Sequence, residues 1–163
     1  MEGYLKSGDF MKSSFTQHEK RSNLILTTIQ YTTLILFVVL SPKVATGAVW
    51  ITIEIIGIVI AFWAIIEMRI KSKISIAPLP RSGAQLISSG PYRYIRHPMY
   101  LSLLLMFVPL IVSHYNLLRL LVLGVLYVNL LFKLLFEEAI LKENLEGYAD
   151  YMQKSWRIIP FVF

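Results

Sequence analysis

Residues 48–66 read Ala-Val-Trp-Ile-Thr-Ile-Glu-Ile-Ile-Gly-Ile-Val-Ile-Ala-Phe-Trp-Ala-Ile-Ile, and this stretch decides the fold. At ~1.5 Å rise per residue, a helix of that length nearly crosses a ~30 Å hydrocarbon layer. Its one charge, Glu54, is costly in lipid unless it faces protein or water, so a tertiary hydrogen bond is its expected role. Three more apolar stretches lie outward from it, at 24–40, 99–112 and 117–136. The third of the four, 99–112, is short and carries Pro109, which predicts a kink or a span completed by neighbours. Stretch 24–40 does not read as a signal peptide, because a 23-residue polar lead precedes it and no small-x-small cleavage pattern follows. The predicted fold is all-α: a polytopic membrane helical bundle of about four transmembrane helices, with a cytoplasmic amphipathic C-terminal helix. Residues 1–163 form one membrane-embedded domain in this reading.

Composition supports it. The chain is 56% hydrophobic, which points to a membrane protein rather than a soluble core. Without cysteine there are no disulfides, thiol catalysis or thiolate metal sites. His18, His97 and His114 lack metal-ligand spacing. The net charge of +6 sits beside the apolar segments, so it reads as topology and contact with anionic headgroups, and no nucleic-acid partner is expected. Lys6, Lys12, Lys20 and Arg21 precede the first stretch, while Arg69, Lys71, Lys73, Arg81, Arg93 and Arg96 separate the second from the third. The positive-inside rule therefore places both termini and the 69–98 loop in the cytoplasm.

Local organisation follows from punctuation and period. Residues 1–23 are a polar tail or interfacial helix with no assigned function. The turn Ser41-Pro42-Lys43 predicts that the first two helices pack as an antiparallel pair. Residues 77–91 break any helix, and an irregular segment of that length in a small protein is usually functional. Within it, Gln85-Leu86-Ile87 is apolar enough to lie extended against the bundle. From 137 to 156, Leu141, Leu145, Tyr148 and Met152 share one face while Lys142, Glu146 and Asp150 point elsewhere, predicting an amphipathic helix that ends near Arg157 and Pro160.

Residues 90–100, Gly-Pro-Tyr-Arg-Tyr-Ile-Arg-His-Pro-Met-Tyr, carry the chemistry. Proline is comfortable at the first position of a helix, so Pro98 should start one with His97 extended before it. The free N–H groups of Met99, Tyr100 and Leu101 would then form an anion site, reinforced by Arg93 and Arg96. Tyr92, Tyr94 and Tyr100 offer flat faces. Interfacial anchoring by Arg and Tyr is the plainer reading of the same residues. On the fourth stretch, Asn129, Lys133 and Glu137 share a face, with Glu138 beside them. Snorkelling explains Lys133, but a cationic ligand explains the glutamates better. Donors for an anion, rings for a flat base and carboxylates for a cation match the three parts of S-adenosylmethionine. Composition alone does not demand that cofactor, and no Gly-rich nucleotide loop is present.

Gly90-Pro91-Tyr92, Arg96-His97-Pro98-Met99-Tyr100, Glu137-Glu138 with Leu141, and Tyr148, Tyr151, Arg157 and Pro160 together resemble the isoprenylcysteine carboxyl methyltransferase family, over residues 77–160. Phospholipid methyltransferases are similar in the same region. The resemblance implies a helical membrane enzyme that takes S-adenosylmethionine from the cytosol and a lipophilic methyl acceptor from the membrane lipid. It implies cofactor contacts at Gln85, Leu86, Ile87, Tyr92, His97, Pro98, Met99, Tyr100 and Glu137. Lys133 falls where the family carries a substrate-facing cation, usually arginine in the eukaryotic enzymes, and lysine lacks the planar bidentate grip. Ser102 replaces a usual glycine, and Asn144-Leu145 replaces a usual Phe-Gly. The implied reaction is an in-line displacement in which the protein supplies alignment and exclusion of water. A carboxylate or thiolate acceptor needs no base, whereas an ammonium must first lose a proton, for which His97 and Glu138 are candidates. Lys133 would orient an anionic acceptor. Two rival readings are an NADPH-dependent membrane reductase of the sterol-reductase type, holding a dinucleotide phosphate on the basic 69–96 loop, and a non-catalytic membrane scaffold.

Overall fold

The computed structural model of the chain describes residues 16–71 and 86–163. Their regular structure is helical: α1 (Gln17–Leu40), α2 (Ala48–Lys71), α3 (Pro98–Ser113), α4 (Leu117–Asn144) and the short α5 (Tyr148–Lys154). α1 starts earlier than the apolar pattern because Thr16 and Glu19 form a reciprocal capping box. Residues 17–23 of the polar lead are thus helical. α4 is capped by Asn116, whose side chain accepts the Arg119 N–H at 3.2 Å.

α1, α2 and α4 are long and apolar enough to cross a membrane. Their outward faces present Ile35, Val39, Val59, Phe62, Leu121 and Phe132, all exposed. Bare side chains of this kind over three long helices mark lipid as their solvent. α3 has 16 residues, about 24 Å of helix, so it falls short of a full span. It runs unbroken through buried Pro109.

Pairing of the helices departs from the expectation. α2 packs along α3, and α1 along α4; α1 and α2 make no extensive contact despite their short connection. Two features explain this. At Gly57, a Cβ atom would lie 2.9 Å from Met106 Cγ and 3.1 Å from the Met106 backbone nitrogen, so α2 and α3 approach closely only because that side chain is missing. Between α1 and α4, buried Asn129 donates to the Leu26 carbonyl at 3.0 Å, a polar tie favoured where water is absent. The small residue at the α2/α3 contact is therefore Gly57, while buried Ser102 bonds back to the Met99 carbonyl. The two pairs join through a common core in which Phe37 of α1 meets Phe107 of α3, ring centroids 4.6 Å apart, above Leu126 and Leu130 of α4. Glu54 has the expected role: it accepts the Ala45 N–H at 3.0 Å and fixes the α1–α2 connection. Gly57→Leu should overpack the α2/α3 contact and lower stability by about 1–3 kcal/mol, read as an earlier midpoint in denaturant titration of the detergent-solubilised protein.

The amphipathic helix expected over 137–156 is two elements instead. α4 continues to Asn144, the chain turns at Gly147 with φ +76°, and α5 is only seven residues long. The side chain of Asn144 donates to the Ile140 carbonyl at the helix end, and glycine takes the left-handed conformation that stops the helix at little cost. This break turns α5 and residues 155–158 back over the ends of α3 and α4.

Candidate functional site

The segment between α2 and α3 is docked before it reaches the site. Ser89 Oγ donates to Glu67 Oε1 at 2.5 Å. Gly90, at φ +56°, lies so close to α2 that a Cβ would stand 3.0 Å from Trp63 Nε1 and 3.1 Å from Glu67 Cδ. A 3₁₀ turn over Gly90–Arg93 then buries Pro91 and Tyr92. Next, Ile95 bridges to Trp156 in a parallel arrangement: Arg96 N–H donates to the Trp156 carbonyl at 2.7 Å, and His97 N–H to that of Arg157 at 3.0 Å. The C-terminal segment thus holds the approach to α3, and Tyr151 adds a hydrogen bond to the Tyr92 carbonyl.

Pro98 opens α3 as expected, with His97 at the cap. The anion site at this helix start is smaller than the sequence suggested, because the Tyr100 and Leu101 N–H groups both bond to the His97 carbonyl, at 3.0 and 3.2 Å. Pro98 has no N–H, which leaves Met99 as the first-turn donor without a backbone partner among the described residues. Nor is Arg96 free for a ligand. Its guanidinium lies 2.7 Å from Glu138 Oε1 and also donates to the carbonyls of Met152 and Ser155. Arg157 meets the other Glu138 oxygen at 3.0 Å, and His97 Nε2 stands 3.3 Å from Oε1. Glu138 therefore does not await a cationic ligand. It ties the start of α3, α4 and the C-terminal segment into one unit. Arg93 and Tyr94 point outward, stacked on each other.

Glu137, one residue earlier, lines the cavity, although both glutamates stand close to the His97 ring. The Tyr100 hydroxyl reaches both its oxygens at 3.0 Å, Lys133 Nζ lies 3.8 Å from Oε1, and His97 Nδ1 lies 3.8 Å from Oε2. The His97 and Tyr100 rings stack, centroids 5.2 Å apart. Lys133 is 5% exposed and donates to Gln30 Oε1 at 2.5 Å. Between these groups is a cavity of about 330 Å³, within the range of small-molecule sites. Leu86, Ile87, Tyr92, His97, Pro98, Met99, Tyr100, Lys133 and Glu137 all line it; Gln85 lies outside the described residues. The sequence reasoning missed Gln30 and Tyr31 of α1, and Met68 and Arg69 of α2. A signal for Gln30 existed: it falls within the apolar stretch 24–40, at i+7 from Asn23 and i+3 from Thr27, so the three polar side chains share one face of α1.

The Tyr92 hydroxyl is buried in this wall without a partner among the described residues. Burial, with the Tyr151 and Glu137 groups nearby, pushes Tyr92 above the usual tyrosine range, and burial pushes Tyr151 up to about 12. Both remain neutral donors at physiological pH. Among the described residues no group of side chains has the makings of a metal site.

A membrane bundle that gathers a carboxylate, an imidazole and aromatic hydroxyls around a cavity at its helix ends is built as an enzyme working at a lipid boundary. The sequence model of the phospholipid methyltransferase family matches residues 42–147, more than half of the chain, and the chain belongs to that family. It is an integral membrane methyltransferase. No curated relative matches the chain.

Proposed function

We propose that the chain moves a methyl group from S-adenosylmethionine to a lipophilic acceptor that reaches the cavity from the bilayer. One observation carries this reading: the two sequence segments expected to hold the cofactor, 86–100 and the inner end of α4, line a single cavity. The cavity's chemistry fits the cofactor. Glu137 offers a carboxylate to its ammonium, the Met99 N–H and the Tyr92 hydroxyl offer donors, and Leu86, Ile87 and Met99 supply apolar walls for a flat base. When bound, the cofactor supplies an already activated methyl group, so the protein's task is alignment and exclusion of water. His97 is pinned at backbone and ring, which fixes where its Nδ1 stands beside Glu137. The basic residues around the 69–98 segment support a cytoplasmic opening, with both termini on that side.

Lys133 is proposed to orient the acceptor's polar end at the depth of the cavity. Lys133→Ala should lower kcat by about tenfold or more, while affinity for S-adenosylhomocysteine changes little. An equal fall in both would discard that role.

Calorimetry on the purified protein separates this function from the dinucleotide alternative. Saturable binding of S-adenosylhomocysteine with no binding of NADPH is the expected result. Binding of NADPH alone would overturn the assignment.

A further inference from the structure

Part of the cavity wall comes from α1, outside the two segments on which the cofactor reading rests. Gln30 lines the cavity from that helix, beside Lys133 and Glu137 of α4. Its Oε1 accepts from Lys133 Nζ at 2.5 Å. The same ammonium stands 3.8 Å from Glu137 Oε1, beyond hydrogen-bond reach. Both Glu137 oxygens instead meet the Tyr100 hydroxyl at 3.0 Å.

Simple electrostatics would arrange these groups differently. An ammonium and a carboxylate this sheltered attract each other strongly, because little water screens them. Lysine has three donors on a flexible stem, so it closes such a gap unless something holds it back. Gln30 is placed to do so. It presents a neutral oxygen from another helix, which takes the ammonium without cancelling the charge of Glu137. A Glu137 paired tightly with Lys133 would have less to offer a cationic ligand, since the ligand would first have to displace the lysine.

We infer that Gln30 is a positioning residue: by holding the Lys133 ammonium off Glu137, it keeps that carboxylate open to the ammonium of the methyl donor. This rests on the proposed function and deepens it, adding a residue of α1 that acts on the donor through Lys133. The plainer reading is that Gln30 only satisfies a buried lysine and helps to hold α1 against α4. The two readings part when Lys133 is removed, because a role exerted through its ammonium then disappears.

A double-mutant cycle in donor affinity makes the test. The full chain in neutral detergent is titrated calorimetrically with S-adenosylhomocysteine, which carries the ammonium. Wild type, Gln30→Leu, Gln30→Glu, Lys133→Met and the double variant Gln30→Leu/Lys133→Met are compared. Gln30→Leu should bind about tenfold more weakly, the scale of one charge-assisted hydrogen bond, as Lys133 settles on Glu137. Gln30→Glu keeps an oxygen for Lys133 and should bind at least as tightly as wild type. Lys133→Met should stay near wild type, and adding Gln30→Leu to it should cost nothing further. The Asn129 bond to the Leu26 carbonyl ties α1 to α4 in all five proteins, and unfolding midpoints read any packing loss separately. Unchanged affinity in Gln30→Leu would overturn the inference, as would the same tenfold loss in the Lys133→Met background. Weaker binding by Gln30→Glu would equally overturn it. A wild type that binds no S-adenosylhomocysteine removes the proposed function and this inference together, whereas a wild type that binds no better than Gln30→Leu removes the inference alone.

Discussion

Glu138→Ala should cost about 3–5 kcal/mol of stability, the penalty for removing one partner from a buried charge cluster. The reason is local. Glu138 is 4% exposed and is shared by Arg96, Arg157 and His97, so its loss leaves the Arg96 guanidinium, itself 7% exposed, facing an empty space. The same change releases the C-terminal segment, whose hold on residues 94–97 positions the start of α3. Denaturant or thermal titration of the variant in detergent checks this. Replacing Arg96 and Glu138 together by methionine and leucine should recover a good part of the loss, because a paired removal leaves fewer buried charges than a single one. A Glu138→Ala protein as stable as wild type would show that the cluster does not hold the site together.

Glu137→Gln should behave in the opposite sense, with stability nearly kept and ligand binding lost. The amide retains an oxygen for the Tyr100 hydroxyl and keeps the shape, but it removes the negative charge that faces the cavity. S-adenosylhomocysteine affinity should fall by about ten- to a hundredfold, the range for losing a charge-assisted hydrogen bond to an ammonium. Calorimetry reads the affinity, and the unfolding midpoint confirms that the fold survives. Two adjacent glutamates thus divide the work, one tying elements together and one addressing the cavity. Their order in the chain does not reveal this; it depends on which way each points from α4.

Much of the fold was legible in the sequence because lipid imposes simple demands. Long apolar runs gave α1, α2 and α4, Pro98 gave the start of α3, and Glu54 declared its need for a partner. The cavity was legible for a related reason: polar residues such as His97, Lys133 and Glu137 are tolerated at these depths only when they converge. Helix pairing was not legible. Every helix is apolar on several faces, so periodicity cannot choose neighbours, and the choice falls to single features such as the missing side chain of Gly57 and the amide of Asn129. The anion site was overestimated because a cap's carbonyl also takes up first-turn donors, as that of His97 does. Arg96 was misread for a different reason. Its partners at 138, 152 and 155 lie far along the chain, and no local pattern links them. The break after Asn144 had a visible signal in Gly147, which the continuing apolar period on either side obscured.

We propose that residues 86–100 and the C-terminal end of α4 form one binding site for the methyl donor. Hydrogen exchange of the full chain, with and without saturating S-adenosylhomocysteine, tests it most directly. The account predicts slower exchange in both 86–101 and 133–148, with little change near the α1–α2 connection. Saturable binding that protects neither segment, or only one of them, would contradict it.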